Sequence, residues 1–269
     1  MIRITWAWAW ALALTFLLVG MQEPTSPFRL ISTIQTEAKD IETDQLGNLY
    51  VVTKTNQLYK YNSDGKVLST LNYKYVGNIS YVDATNPLEL YIFYRELNKL
   101  IYLDNNLAYR GETDLSRVGI GQASSIARAF DNGIWAFDIA DMQLKKLNKK
   151  GETEQLSGNV RQFVSSRLQP GYIHDNTQRV LVSDTTVGIL VFDVFATYIK
   201  TIPIKSDSHI KPIENDLYYF SSGRMHIYNQ TSFKTRSFEV PDAEHVIDVS
   251  IEKSRLYIMR ADRIEVYAF

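Results

Sequence analysis

The chain has 269 residues, 45% of them hydrophobic and 22% charged, and a formal net charge of −1. This composition excludes a disordered chain and a polytopic membrane protein, and the near-neutral balance gives no electrostatic ground for binding nucleic acid. Cysteine is absent, which excludes a disulfide framework, a thiolate metal site, a cysteine nucleophile and the lipid-carrying cysteine of a bacterial lipoprotein.

The first segment reads as a secretory signal. A single Arg3 precedes the uncharged run Ile4 to Met21, a basic, apolar and then small-residue layout that fits secretion. Residues 1–21 are therefore expected to be a signal peptide and 22–269 one domain. The competing reading is an uncleaved anchor, since 18 residues (positions 4 to 21) sit at the low edge of what spans a bilayer. Either way the expected location is outside the cytoplasm, periplasmic or secreted, with membrane contact only through an uncleaved N-terminus.

Next comes Phe28 to Ile34, a strand-like stretch that stands alone before a repeat begins. Six copies of that repeat follow, each a short apolar strand and, about a dozen residues on, a second strand ending in an aromatic or Leu. The first-strand anchors are Leu49, Leu90, Ile134, Leu181, Leu217 and Leu256, and the second anchors are Tyr61, Leu103, Leu147, Phe192, Tyr228 and Tyr267. First anchors are 41, 44, 47, 36 and 39 residues apart, and the gap within each copy is 11 to 13 residues. Two registers thus agree independently, and the longer one holds four short strands with their turns.

The strands are near-continuous apolar runs rather than alternating ones, so both faces must be buried. Small sheets packed between two neighbouring sheets meet that demand, as in a propeller blade. Asn62, Asp104, Asn148, Asp193 and Asn229 follow the second anchors of the first five copies. Short side chains of this kind bond the local backbone and make turns. In the first copy a blade reads as Asp40 to Thr43, Asn48 to Thr53, Gln57 to Tyr61 and Lys66 to Asn72. The sixth copy ends at Phe269 without an outer strand. The expected fold is therefore an all-β, six-bladed β-propeller whose last blade is closed by the N-terminal strand Phe28 to Ile34, since an open blade would expose an edge.

The first copy, Asp44-Gln45-Leu46-Gly47-Asn48-Leu49-Tyr50-Val51 with Asn56 to Tyr61 and Asp64-Gly65-Lys66, resembles an NHL-type repeat; the other five keep only its skeleton. The resemblance is to the broad NHL/TolB-like group of six-bladed propellers over roughly residues 28–269. It implies a fold, and a choice among interaction scaffold, ligand binder and calcium-dependent lactonase or related hydrolase.

Propeller ligands sit at the central channel, so the residues upstream of each first anchor are the channel-binding candidates: Glu37 and Asp40, Asp83, Arg128, His174 and Asp175, His209 and Lys211, His245 and Asp248. Three histidines in consecutive blades, His174, His209 and His245, would suit zinc if they converged. Their offsets to the anchors, 7, 8 and 11 residues, point instead to different depths. Glu37, Asp83, Asp175 and Asp248 offer the oxygens a hard cation such as calcium takes, without a recognisable ligand pattern. Ser165 to Gly171 lengthens the passage to the fourth blade and is a candidate binding loop, and Tyr73, Tyr75, Tyr109 and Tyr198 are candidate anchors for a protein partner.

No nucleophile elbow, H-E-x-x-H helix or phosphate-cradling glycine loop occurs. The function expected is a non-catalytic protein-binding or scaffold module of the cell envelope, with no cofactor. The alternatives are a metal-dependent lactonase or hydrolase using calcium or zinc at the channel, and a small-ligand or carbohydrate binder using channel aromatics and Arg128. Nothing in the sequence points to a homo-oligomer.

Overall fold

Leu49–Thr53, rich in β-branched residues, is buried along its whole length, and the same need to bury both faces shapes every blade. The computed structural model describes residues 28–72, 77–164, 167–206, 209–252 and 254–269; the expected signal segment lies outside them. Among the described residues there are 24 strands in six four-stranded antiparallel sheets. Blade one is β2 (Ala38–Thr43), β3 (Leu49–Thr53), β4 (Leu58–Tyr61) and β5 (Val67–Thr70). Blade two is β6 (Tyr81–Asp83), β7 (Glu89–Tyr94), β8 (Lys99–Asp104) and β9 (Tyr109–Asp114). Blade three is β10 (Ala123–Arg128), β11 (Ile134–Asp138), β12 (Gln143–Leu147) and β13 (Thr153–Leu156).

Blade four is β14 (Pro170–Asp175), β15 (Arg179–Asp184), β16 (Gly188–Asp193) and β17 (Tyr198–Ile202). Blade five is β18 (Lys211–Ile213), β19 (Asp216–Ser221), β20 (Arg224–Asn229) and β21 (Thr235–Glu239). Blade six runs β22 (Asp248–Glu252), β23 (Arg255–Met259) and β24 (Arg263–Ala268), and its outer strand is β1 (Arg29–Gln35). The first strand of each blade faces the channel.

The ring closes as the sequence suggests. β1 pairs antiparallel with β24 from Arg29↔Ala268 to Gln35↔Arg263, with a bulge between Leu30 and Ser32. Phe28 packs its ring against Tyr267 and Phe269, at 6.5 and 5.7 Å between centroids. The first described strand and the last are thereby held in one sheet, and β24 has no open edge.

The turn residues act as expected. Oδ1 of Asn62, Asp104, Asn148, Asp193 and Asn229 each accepts two backbone N–H bonds from the turn that follows it. One Asx turn thus recurs in five blades.

The core lies between blades. Trp135 and Phe137 of blade three pack with Val180, Leu190 and Phe192 of blade four, and Ile41, Leu49 and Val51 of blade one pack with Tyr257, Met259 and Ile264 of blade six. The seam between blades four and five is thinner, resting on Leu181, Ile189, Val191, Ile202 and Leu217. Among the described residues no helix is long and apolar enough to cross a membrane.

Candidate functional site in the central channel

Strand alternation decides which side chains enter the channel, because every second residue of an innermost strand points the same way. Asp40 and Glu42 of β2 form such a series, as do Asp248, Ser250 and Glu252 of β22. His209, two residues before β18, and Lys211, its first residue, continue the series. These polar residues come together at two levels. At the deeper level, Nε2 of His209 stands 3.4 Å from Oδ1 of Asp40 and 3.9 Å from Oδ2 of Asp248. At the next, Nζ of Lys211 donates to Oε1 of Glu42 at 2.8 Å and to the Thr43 carbonyl at 2.9 Å, and lies 3.6 Å from Glu252.

Aromatic rings wall the same space. Tyr172 tilts against the His209 ring at 3.8 Å between centroids, and Tyr81 meets Tyr172 edge-on at 5.1 Å. A cavity of about 460 Å³ opens beside them, lined on its polar side by Glu42, His174, His209 and Lys211 and on its apolar side by Leu181, Ile189 and Pro212. It therefore runs from the channel into the thin seam between blades four and five.

The charges in this space shape one another. Burial drives the Asp40 carboxyl up to about 6, with Asp248 and Glu42 adding to the rise and His209 opposing it. Burial likewise raises Asp248 against the pull of His209. Burial disfavours the charged form of His209, but the carboxylates of Asp248, Asp40 and Glu42 outweigh it and leave the imidazole above its ordinary value. For Glu42, burial pushes upward and the cations Lys211 and His209 prevail, so it lies below the usual range. Lys211 is raised in turn, as Glu42 overcomes its burial. His174 has no such support: burial, reinforced by Lys211, takes it down to about 4, so it is neutral near neutral pH. Four carboxyl groups, those of Asp40, Glu42, Asp248 and Glu252, thus face one histidine and one lysine in this part of the channel.

The other sequence candidates hold the ring together or lie outside the channel. Asp83 accepts the Arg128 backbone N–H at 2.7 Å, tying blade two to blade three. Asp175 ties blade three to four, with Oδ2 accepting the Trp135 indole N–H at 2.8 Å and the Phe130 N–H at 3.1 Å. Arg128 is engaged by Glu89 at 2.5 Å and lies over the Tyr91 ring at 4.1 Å, so its guanidinium is committed between blades. Glu37 precedes β2 on the surface, 71% exposed and paired with Lys54. His245 belongs to an exposed 3₁₀ turn, Ala243–His245, and bonds Asp242 at 2.8 Å. A three-histidine cluster therefore does not form: the eleven-residue offset of His245 puts it in the connection before β22, outside the channel.

Of the candidate loop, Ser165 and Ser166 lie outside the described residues, as do Tyr73 and Tyr75. The remainder is fastened to blade four, with the Arg167 carbonyl accepting from Thr186 at 3.0 Å. Tyr198 is stacked on Phe163 at 5.0 Å, while Tyr109 is 40% exposed. Glu42, Glu252, Tyr81 and Tyr172 were not among the sequence candidates. The signal that marks the two acids is the alternation Asp40-x-Glu42 and Asp248-x-Ser250-x-Glu252.

Fold and channel together define a six-bladed β-propeller. Neither a protein-family model nor a curated protein matches the chain in sequence. Solved structures do match in shape. A streptogramin B lyase is 10% identical, with a TM-score of 0.62 over 89% of this chain and 96% of that one. BamB from Moraxella catarrhalis is 14% identical, with a TM-score of 0.57 over 90% and 98%. The Pan2 WD40 domain from Neurospora crassa is 5% identical, with a TM-score of 0.63 over 90% and 95%. At these identities the likeness establishes the propeller fold alone.

Proposed function

We propose that the protein is an exported, non-catalytic propeller that holds a protein partner in the cell envelope, using the face that carries the turns from first to second and third to fourth strands. One observation carries this reading. The five most exposed large apolar side chains among the described residues are Leu88 at 69%, Phe195 at 66%, Phe233 at 65%, Leu46 at 64% and Phe130 at 55%. Leu46, Leu88 and Phe130 occupy first-to-second turns, and Phe195 and Phe233 occupy third-to-fourth turns. In an antiparallel blade these turns share one end, so all five tips point from one face of the ring. Turn tips tolerate polar residues readily, and exposed aromatic and Leu side chains concentrated on one face suit the anchors of an interface.

Export rests on Arg3 and the uncharged run Ile4 to Met21; a soluble periplasmic or secreted form and an N-terminally tethered form both satisfy it. The apparent mass of the full chain in a native extract tests the docking face. Combined Leu88→Asp, Phe195→Asp and Phe233→Asp substitutions should shift the protein from a larger complex to its monomer mass, whereas Ile247→Asp on the opposite face should not. A monomer in the unsubstituted extract would sink the reading.

A second reading, a small-ligand binder, is favoured by the cavity beside His209 and Lys211 and by its apolar wall in the seam between blades four and five. Arg128 takes no part in it, being held by Glu89. Native mass spectrometry of the protein isolated from its source would reveal, as an excess over the polypeptide mass, a co-purified small molecule that the apolar substitution Leu181→Trp expels; no excess in the unsubstituted protein, or the same excess in the variant, would remove this reading.

A further inference from the structure

We propose that Asp40, His209 and Asp248 form a binding site for one divalent transition ion of the zinc kind, a reading independent of the docking face. One donor atom from each residue lies within 4.8 Å of the other two. Nε2 of His209 is 3.4 Å from one Asp40 oxygen and 3.9 Å from one Asp248 oxygen. An ion held tetrahedrally at about 2.0–2.1 Å needs ligand atoms roughly 3.4 Å apart. The His209–Asp40 separation matches that spacing and the His209–Asp248 separation is wider, so a bound ion would draw Asp248 inward; both exceed a direct hydrogen bond.

A second observation points the same way. Oδ2 of Asp40 is shut off from solvent and has no hydrogen-bond partner, on a side chain only 14% exposed. A carboxylate oxygen buried without a partner is costly unless something positive faces it. Lys211 is committed to Glu42, Thr43 and Glu252 one level along the channel. The Asp40 oxygen nearest His209 is Oδ1, so a cation seated here would satisfy the orphaned Oδ2 by taking the carboxylate through both oxygens.

The donor set also selects the ion. Two carboxylates neutralise a double positive charge, and one neutral imidazole favours zinc and its first-row neighbours over magnesium or calcium. The ligands come from blades one, five and six, so the closed ring sets their spacing, and the Tyr172 ring at 3.8 Å fixes the plane of the imidazole. His209 also lines the cavity. A fourth position can therefore be filled by water or by an oxygen of a molecule entering the cavity. Binding displaces any proton on Nε2 of His209, which places the site's affinity under control of pH.

The test is isothermal titration of the purified full-length propeller with zinc chloride, with manganese and calcium chlorides in parallel. The expected result is one equivalent of zinc, with calcium weaker, and affinity reduced by more than about tenfold in Asp40→Asn and in Asp248→Asn. His245→Ala, on the exposed 3₁₀ turn, should bind as the unsubstituted chain does. Circular dichroism and thermal melting check that each variant folds. If the channel variants do not fold, cobalt loading of the unsubstituted protein decides the matter: paramagnetic shifts should fall on the His209 imidazole and spare His245. Absence of stoichiometric zinc binding, unaltered affinity in both Asn variants, or shifts centred on another histidine would overturn the proposal.

Discussion

Nζ of Lys211 lies 2.8 Å from Oε1 of Glu42, joining blade five to blade one across 169 residues of sequence. Glu252 of blade six stands 3.6 Å from the same ammonium, so one cation serves two carboxylates with side chains only 12% and 13% exposed.

Lys211→Met would leave those acids facing each other without an ion-pair partner, His209 acting on Glu42 only through space. We expect a loss of about 3–5 kcal/mol near neutral pH, the usual result of stranding a buried charge. In the unsubstituted protein the lowered Glu42 contributes stability that is present above its unfolded value of 4.5 and lost as pH falls. In the variant the carboxyl is raised instead, so the deficit should shrink as pH drops from about 8 to about 5. Urea unfolding across that range measures it, and a deficit independent of pH would contradict this account of the pair.

His174 supplies a second pH effect with its own sign. Its folded value of about 4 lies below the ordinary 6.5, so the unfolded chain takes up a proton that the folded one refuses. Stability should fall as pH drops through that window, by up to about 3 kcal/mol. His174→Gln should flatten this slope. Asp40, raised to about 6, acts in the opposite sense over an overlapping window, but it is present in both proteins and cancels in the comparison. Parallel slopes for the two proteins would count against a buried neutral His174.

Asp175 is a latch between blades. It accepts from the Trp135 indole, from the Phe130 N–H and from the Thr177 N–H. Asp175→Ala should therefore cost about 2–4 kcal/mol, and Asp175→Asn, which keeps one acceptor oxygen, about 1 kcal/mol. Chemical denaturation midpoints distinguish them; equal losses would mean that packing, not hydrogen bonding, is what Asp175 contributes.

The closing strand protects the edge of β24. A chain that begins at Thr36 should expose that edge and associate or aggregate. Light scattering coupled to size-exclusion chromatography is the check, and a stable monomer would show that β1 is dispensable.

Much of the fold was legible because each blade carries two spacings and the first five a repeated Asx turn, and because the sixth copy visibly lacks an outer strand that Phe28 to Ile34 matches. The channel was legible only in part. Distance to an anchor identifies the innermost strand but not which side of it a residue faces. The register shift between Ala38 and Asp40 shows why, since one extra residue reverses the alternation. Asp83 and Asp175, acids in the expected strand, turn to neighbouring blades and bind backbone there. Asp40, His209 and Asp248 turn inward, and Glu42 and Glu252 join them two residues after Asp40 and four after Asp248. Exposure of Leu88 or Phe195 at turn tips has no local sequence signal at all, since an apolar residue in a turn reads alike whether covered or bare.

Site-specific photo-crosslinking in the source cells tests the central claim most directly. A photoreactive residue placed at position 46, 88, 130, 195 or 233 should yield the same discrete protein adduct, while positions 97 and 247 on the other face should yield none. Adducts of equal yield from both faces, or none from the five turn tips, would contradict a docking role for this side of the propeller.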